Sequence, residues 1–221
     1  FFVFENVLPI KKSQAYMDFK DEVAKAGFVV FEQELNAVDF GVPQERKRLF
    51  IVGINGERHK RLASKGFSFP IGYSCRLPCG PILQGIDHEP VIANSGLTPE
   101  EIAQVAGHPN HWCMEPTSPR FRAKIVRKQL DNGKPYAIVQ VDESKPPTLR
   151  KMNGKSFKIL DPARPSYTIA YGHREVHFHP NEHRRLSVYE AMLLQGFPRD
   201  YQFVGSLSDQ IRLVSEVVPP P

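Results

Sequence analysis

No run of about 18 consecutive apolar residues occurs in the chain, so nothing in it reads as a membrane-spanning helix. A basic segment leading into a short apolar one is also missing, and with it the pattern of a secretory signal. Cysteine is scarce. Cys75, Cys79 and Cys113 make an odd count, too few for a disulfide framework, and a reducing, cytoplasmic setting is the expectation. Tryptophan occurs once, at Trp112. Internal repeats and low-complexity tracts are absent, which sets aside solenoids and long linkers.

What is present suits a globular enzyme or binding protein. Hydrophobic residues make up 41% of the 221, enough for a core. Lys and Arg number 29 against 24 Asp and Glu, a formal charge of +5 that permits a phosphate-binding face without demanding one. Twenty prolines favour irregular connections over a helical bundle. The first residue is Phe1, inside an apparent strand, so a piece of a larger protein or one subunit of a divided one is expected.

Along the chain, residues 1–4 read as a strand. Ser13 caps a helix with Tyr16, Phe19, Val23 and Ala26 on one face, and Gly27 ends it. Residues 28–31 start a second strand, residues 36–43 a turn-rich loop, and residues 49–54 a third strand. This order is half of a doubly wound α/β sheet. Residues 57–64 read as a short basic helix. Thr98-Pro99-Glu100-Glu101 and Ser187-Val188-Tyr189-Glu190 are capping boxes that open two more helices. Residues 108–118 read as a loop, and residues 118–130, with Arg120, Arg122, Lys124, Arg127 and Lys128, as a basic helix. A strand follows at 136–141, then a polar basic stretch at 145–158, and a last helix at 208–217.

Two stretches carry chemistry. Phe1-Phe2-Val3-Phe4-Glu5-Asn6-Val7 is an apolar run that ends in a carboxylate and an amide. Gln44-Glu45-Arg46-Lys47-Arg48 is a turn with two arginines one residue apart, followed by another apolar run. Strand ends at one rim of an α/β sheet build sites, so Glu5 and the arginines are expected near one another. A carboxyl can meet a ring nitrogen and a guanidinium a carbonyl oxygen, which suits a heterocyclic base. A structural strand-end ion pair is the plainer alternative.

In this order, Glu5-Asn6-Val7 and the Gln44-x-Arg46-x-Arg48 pattern resemble the ENV and QxRxR motifs of the DNA (cytosine-5) methyltransferases. The stretches Arg164-Pro165-Ser166-Tyr167-Thr168-Ile169, Arg185-Leu186-Ser187-Val188-Tyr189-Glu190-Ala191 and Leu194-Gln195-Gly196-Phe197-Pro198 resemble that family's closing motifs. The resemblance covers almost the whole chain. It implies the second half of a Rossmann-like methyltransferase sheet over residues 1–65, a smaller mixed, loop-rich target-recognition domain over 66–163, and a closing segment over 164–221.

The resemblance also implies roles. Glu5 is the carboxyl at N3 and the exocyclic amine of a flipped cytosine, Arg48 meets the base O2, and Arg46 braces the site. Asn6 fixes the strand-end turn. S-adenosylmethionine is the implied methyl donor, with Glu216 and Val217 as its candidate contacts. Ser215-Glu216 stands where the family usually has Gly-Asn. Double-stranded DNA is the implied partner, with Arg120, Arg122, Arg150, Lys151, Asn153 and Lys155 as candidate contacts. Arg164 and Thr168 brace the recognition region.

The family's catalytic Pro-Cys and Gly-rich cofactor loop come before ENV, so a further N-terminal half is expected to supply them, in cis or as a second chain. Pro78-Cys79-Gly80 comes after the QxRxR pattern, in a Gly/Pro-rich stretch, and is expected to be an ordinary loop. His173, His177, His179 and His183 have no accompanying cysteine or paired carboxylate, so no metal site is expected. His108, His111 and Cys113 fit no standard zinc spacing. Competing readings are a non-catalytic DNA-binding subunit, a relative acting on tRNA, and a circularly permuted enzyme.

Overall fold

The computed structural model describes residues 1–73, 75–93, 95–116, 122–145, 158–169, 177–181 and 183–219. The chain divides into two compact units: Phe1–Phe40 with Glu45–Cys75, and Gly41–Gln44 with Arg76–Pro221.

The first unit is built on a three-stranded sheet. Strand β1 (Phe2–Asn6) leads through helix α1 (Gln14–Lys25) to β2 (Phe28–Asn36), and β3 (Lys47–Asn55) lies between them. β3 is antiparallel to both neighbours, so β1 and β2 run parallel and present their carboxyl ends at the same rim. The Ser13 hydroxyl accepts the Tyr16 N–H at 3.2 Å and starts α1. Gly27, at φ 77°, takes the left-handed turn that ends it. Period-two alternation puts Phe2, Phe4, Val30, Leu49 and Ile51 on one face, against Tyr16 and Phe19 of α1. Leu49 and Ile51 are fully buried, a gain of about 1.5–3 kcal/mol each. The Phe2 ring lies over Gly53, where an added Cβ would come within 2.0 Å of it. Glu5, Arg48, Phe50, Val52 and Phe31 fall on the opposite face. Helix α2 (Lys60–Lys65) follows.

The second unit holds α3 (Gly80–Leu83), β4 (Val91–Ile92), α4 (Pro99–Ala106), β5 (Trp112–Cys113), β6 (Ala123–Gln129), β7 (Pro135–Val141), β8 (Lys158–Ile159), β9 (His177–Phe178), α5 (Val188–Leu194) and α6 (Leu207–Glu216). Its four-stranded sheet has the order β5-β4-β7-β6, with β6 at one edge, and β8 pairs with β9. Trp112, Val91, Leu160, Ile169, Leu186, Met192, Leu194 and Val214 form its core. Both expected capping boxes are present, at Thr98/Glu101 and Ser187/Glu190, and Ser206/Asp209 adds a third.

The mixed α/β class expected from the sequence is what the chain adopts. The basic helix expected over 118–130 is not. Residues 123–129 form β6, hydrogen-bonded through the whole of β7. Its residues Ile125 and Val126 are β-branched, and Asn132-Gly133, with Gly133 at φ 84°, closes a hairpin that satisfies both ladders. Trp112 and Cys113 likewise form a short parallel strand rather than loop.

Candidate functional site

The rim of the first unit gathers the expected side chains. Asn6 pairs with Leu49 and Glu5 with Phe50 across β1 and β3, so Glu5 and Arg48 are diagonal neighbours on one face. Arg48 Nε lies 3.0 Å from Glu5 Oε1, both side chains being largely but not fully covered. Arg48 also donates through Nη1 to the Lys47 carbonyl at 2.8 Å. Among the described residues, Glu5 Oε1 accepts no aligned hydrogen bond, so the pair is a charge contact that leaves carboxylate lone pairs for another donor. The Asn6 amide oxygen accepts the Val7 N–H at 2.8 Å and shapes the turn that follows β1.

Arg46 sits one alternation before Arg48 and is buried, at 2% exposure. Its backbone N–H donates to Asn36 Oδ1 at 2.9 Å, and its carbonyl accepts from Ala37 N at 3.0 Å. Asn36 Nδ2 in turn donates to Glu45 Oε2 at 3.1 Å. The end of β2 thereby fixes the two-arginine turn, a role for Asn36 that the sequence did not signal. Burial and the neighbouring Arg48 lower the Arg46 pKa to about 10, with Glu5 opposing, so Arg46 keeps its charge at neutral pH. Gln44 opens the same turn but belongs to the second unit. There it is fully buried, bridges to Ser166, and its neighbour Pro43 accepts the Ser166 N–H at 2.8 Å.

Among the other expected site residues, Arg122 is half-buried just before β6, and its carbonyl accepts from Asp142 N at 3.2 Å. Arg164 is exposed, with Nε 3.6 Å from Asp161 Oδ2 and its carbonyl accepting from Cys79 N at 2.8 Å. Thr168 is half-buried. Glu216 is exposed at the last position of α6, and Val217 closes that helix through its N–H to the Leu213 carbonyl at 3.0 Å. Arg120, Arg150, Lys151, Asn153 and Lys155 lie outside the described residues, as does His173.

Cys79 is fully buried, and its thiol donates to the Asp161 carbonyl at 3.2 Å. Burial pushes its pKa up to about 11, the opposite of what a nucleophilic thiol needs. The neighbouring Gly80 packs on Pro162, where a Cβ would meet the carbonyl oxygen at 2.6 Å. This Pro-Cys is a packing corner in the core rather than the ordinary loop expected from the sequence.

His179 and His183 join a buried ion-pair cluster. Arg184 donates to both oxygens of Glu190 and through Nε to Glu89, and the ring of His183 reaches Glu89 at 3.2 Å. His179 lies 3.8 Å from Glu190 and pairs with Asn181. His111 bridges the Ser187 hydroxyl and the His88 carbonyl, each at 2.8 Å. His108 stacks on Tyr189, their centroids 4.0 Å apart.

A mixed α/β sheet, with α1 crossing between β1 and β2, thus brings a carboxylate and two arginines to the rim where those two strands end and β3 begins. The chain belongs to the C-5 cytosine-specific DNA methylase family, whose sequence pattern matches residues 1–221. It is 28% identical over 229 residues to the Type II methyltransferase M.NmeDI of Neisseria meningitidis serogroup C, covering 99% of this chain and 50% of that protein. It is also 28% identical over 228 residues to the Type II methyltransferase M.MthTI of Methanothermobacter thermautotrophicus, covering 99% and 62%. The chain thus spans about half to three fifths of these relatives. Its fold is similar to that of a DNA modification methyltransferase encoded within an E. coli prophage, at a TM-score of 0.59 and 16% identity, over 98% of this chain and 64% of that one. It is also similar to the S. pombe Dnmt2 methyltransferase, at a TM-score of 0.53 and 14% identity, over 98% and 60%.

Proposed function

We propose that this chain is the base-holding and DNA-reading part of a DNA (cytosine-5) methyltransferase of a restriction-modification system. Its substrate is a cytosine flipped out of a specific duplex sequence. The Glu5 carboxyl holds N3 and the exocyclic amine, and thereby stabilises the electron-rich ring formed when a thiolate adds at C6. Arg48 donates to the base O2. Arg46 keeps the turn rigid and the local field positive. The Glu5–Arg48 pair carries this reading: it is charge-matched, lies at the sheet rim, and leaves Oε1 without an aligned partner.

S-adenosylmethionine supplies the methyl group when bound. Glu216 is its candidate contact on this chain, together with Val217. A carboxylate at the end of α6 opposes the helix dipole, and among the described residues it has no cationic partner, so it fits an ammonium group. A further N-terminal half, in cis or as a second chain, supplies the thiolate and the cofactor loop. Residues 1–65 belong to the catalytic domain, 66–163 to the target-recognition domain and 164–221 to a closing segment. Recognition draws on Arg120, Arg122, Arg150, Lys151, Asn153 and Lys155, with Arg164 and Thr168 bracing that region. The setting is cytoplasmic.

The experiment is Glu5→Gln in the full-length protein. We expect methyl transfer to fall by at least about a hundredfold, the scale of a positioned acid–base group, with duplex binding retained. Unchanged transfer would remove Glu5 from the chemistry.

A further inference from the structure

β6 is the edge strand of the second unit's sheet, and its sequence carries cations of one sign only. Lys124, Arg127 and Lys128 are all exposed. Their partners across the ladder are Gln140, Ala137 and Tyr136, none of them charged. Two carboxylates at the ends of the hairpin are engaged elsewhere: Glu101, at its tip, with Lys134 at 2.7 Å, and Asp142, just after β7, with Lys145 at 3.6 Å. Among the described residues, Lys124, Arg127 and Lys128 have no ion-pair partner. Asp131, in the hairpin turn, is the only acid between β6 and β7.

An edge strand exposes unpaired backbone N–H groups, and lysines there often serve only to block sheet-to-sheet association. That role does not call for cations on both faces. Lys124 and Lys128 project to one side of the strand and Arg127 to the other. Cations and outward N–H groups that have no partner among the described residues form a surface that complements phosphate oxygens, which accept from both. The hairpin is also held at its tip, where Lys134 and Asn132 both reach Glu101 at the start of α4, so the strand is presented on a fixed base.

We propose that β6 is a phosphate track, with Lys124, Arg127 and Lys128 seated on the backbone of the duplex whose bases other residues read. The proposal rests on the DNA-methyltransferase reading above. It adds a surface that contributes affinity and register without sequence information.

The test is a salt titration of duplex binding by the full-length protein, wild type against the triple variant K124A/R127A/K128A. Each lost phosphate contact lowers the slope of log K against log salt by about 0.9, so a reduction of about 2 to 3 is expected. The loss should be equal for cognate and scrambled duplexes, and K124R/R127K/K128R should restore the slope. A control variant, K12A/K25A/K60A, removes as much charge from exposed positions of the first unit and should leave the slope near wild type. An unchanged slope in the β6 variant overturns the proposal, with or without self-association. So does an equal loss in the control, a loss confined to the cognate sequence, or tighter binding to structured RNA than to duplex. If wild type itself shows no salt-dependent duplex binding, the DNA-methyltransferase reading fails first, and β6 with it.

Discussion

Arg184 meets Glu190 through two parallel contacts, Nη1 to Oε2 and Nη2 to Oε1, both at 2.8 Å and both inside the core. Glu190 also accepts the Ser187 N–H at 2.8 Å, so one carboxylate caps α5 and neutralises a buried guanidinium. Arg184 holds the Glu190 pKa far below its ordinary value despite burial, because Coulomb attraction and aligned donors outweigh desolvation.

Removing one partner should therefore be severe. Glu190→Gln leaves the buried Arg184 guanidinium with only the half-buried Glu89 as counter-charge and is expected to destabilise the fold by about 3 kcal/mol. Urea denaturation gives this directly. An effect below about 1 kcal/mol, the range of an exposed pair, would show that solvent reaches the cluster.

Acid should weaken the second unit. His108 Nδ1 accepts the Asn110 N–H at 3.1 Å and Nε2 donates to the Tyr201 carbonyl at 3.1 Å, an arrangement that only the neutral ring satisfies. Burial lowers its pKa to about 4, and His111 and His179 shift the same way. The unfolded chain binds these protons first. Stability is thus full above about pH 6.5, where an unfolded histidine is neutral, and falls as the pH drops towards 4. Melting temperature against pH checks the sign; a rise on acidification would refute it.

Arg48→Ala should weaken capture of the flipped base and leave Glu5 without its charge partner. We expect a loss in kcat/KM of about 100- to 1,000-fold for transfer to duplex, on the scale of one preorganised donor. Wild-type kinetics would exclude Arg48 from the site.

Cys79→Ala should leave methyl transfer unchanged while lowering stability by about 1 kcal/mol, since a thiol with a carbonyl partner is lost from a packed corner. Thiol-reactive probes should modify the exposed Cys75 well before Cys79 or Cys113. Loss of transfer at full stability would make Cys79 a functional residue.

Much of the frame was legible in the residues themselves. The caps at Ser13, Thr98 and Ser187, and the Gly27 stop, are short-range devices that satisfy backbone groups within one turn, so their sequence signatures held. The alternation at Phe2, Phe4, Leu49 and Ile51 named the buried face of the first sheet. It also placed Glu5 and Arg48 at strand ends, where they meet.

Tertiary structure decided the rest. Residues 123–129 carry enough lysine and arginine for a helix, yet a partner strand supplied by the Asn132-Gly133 turn made them an edge. β3 lies between β1 and β2 and fixes the diagonal register of Glu5 with Arg48, which no local pattern encodes. Arg184 finds Glu89 across 95 positions, and Asn110 finds Gln210 across 100. Local hydrogen bonding is settled by a few adjacent residues. Pairing a buried charge or an edge strand depends on which distant surface is folded against it, because only the assembled core removes water and makes the partner obligatory.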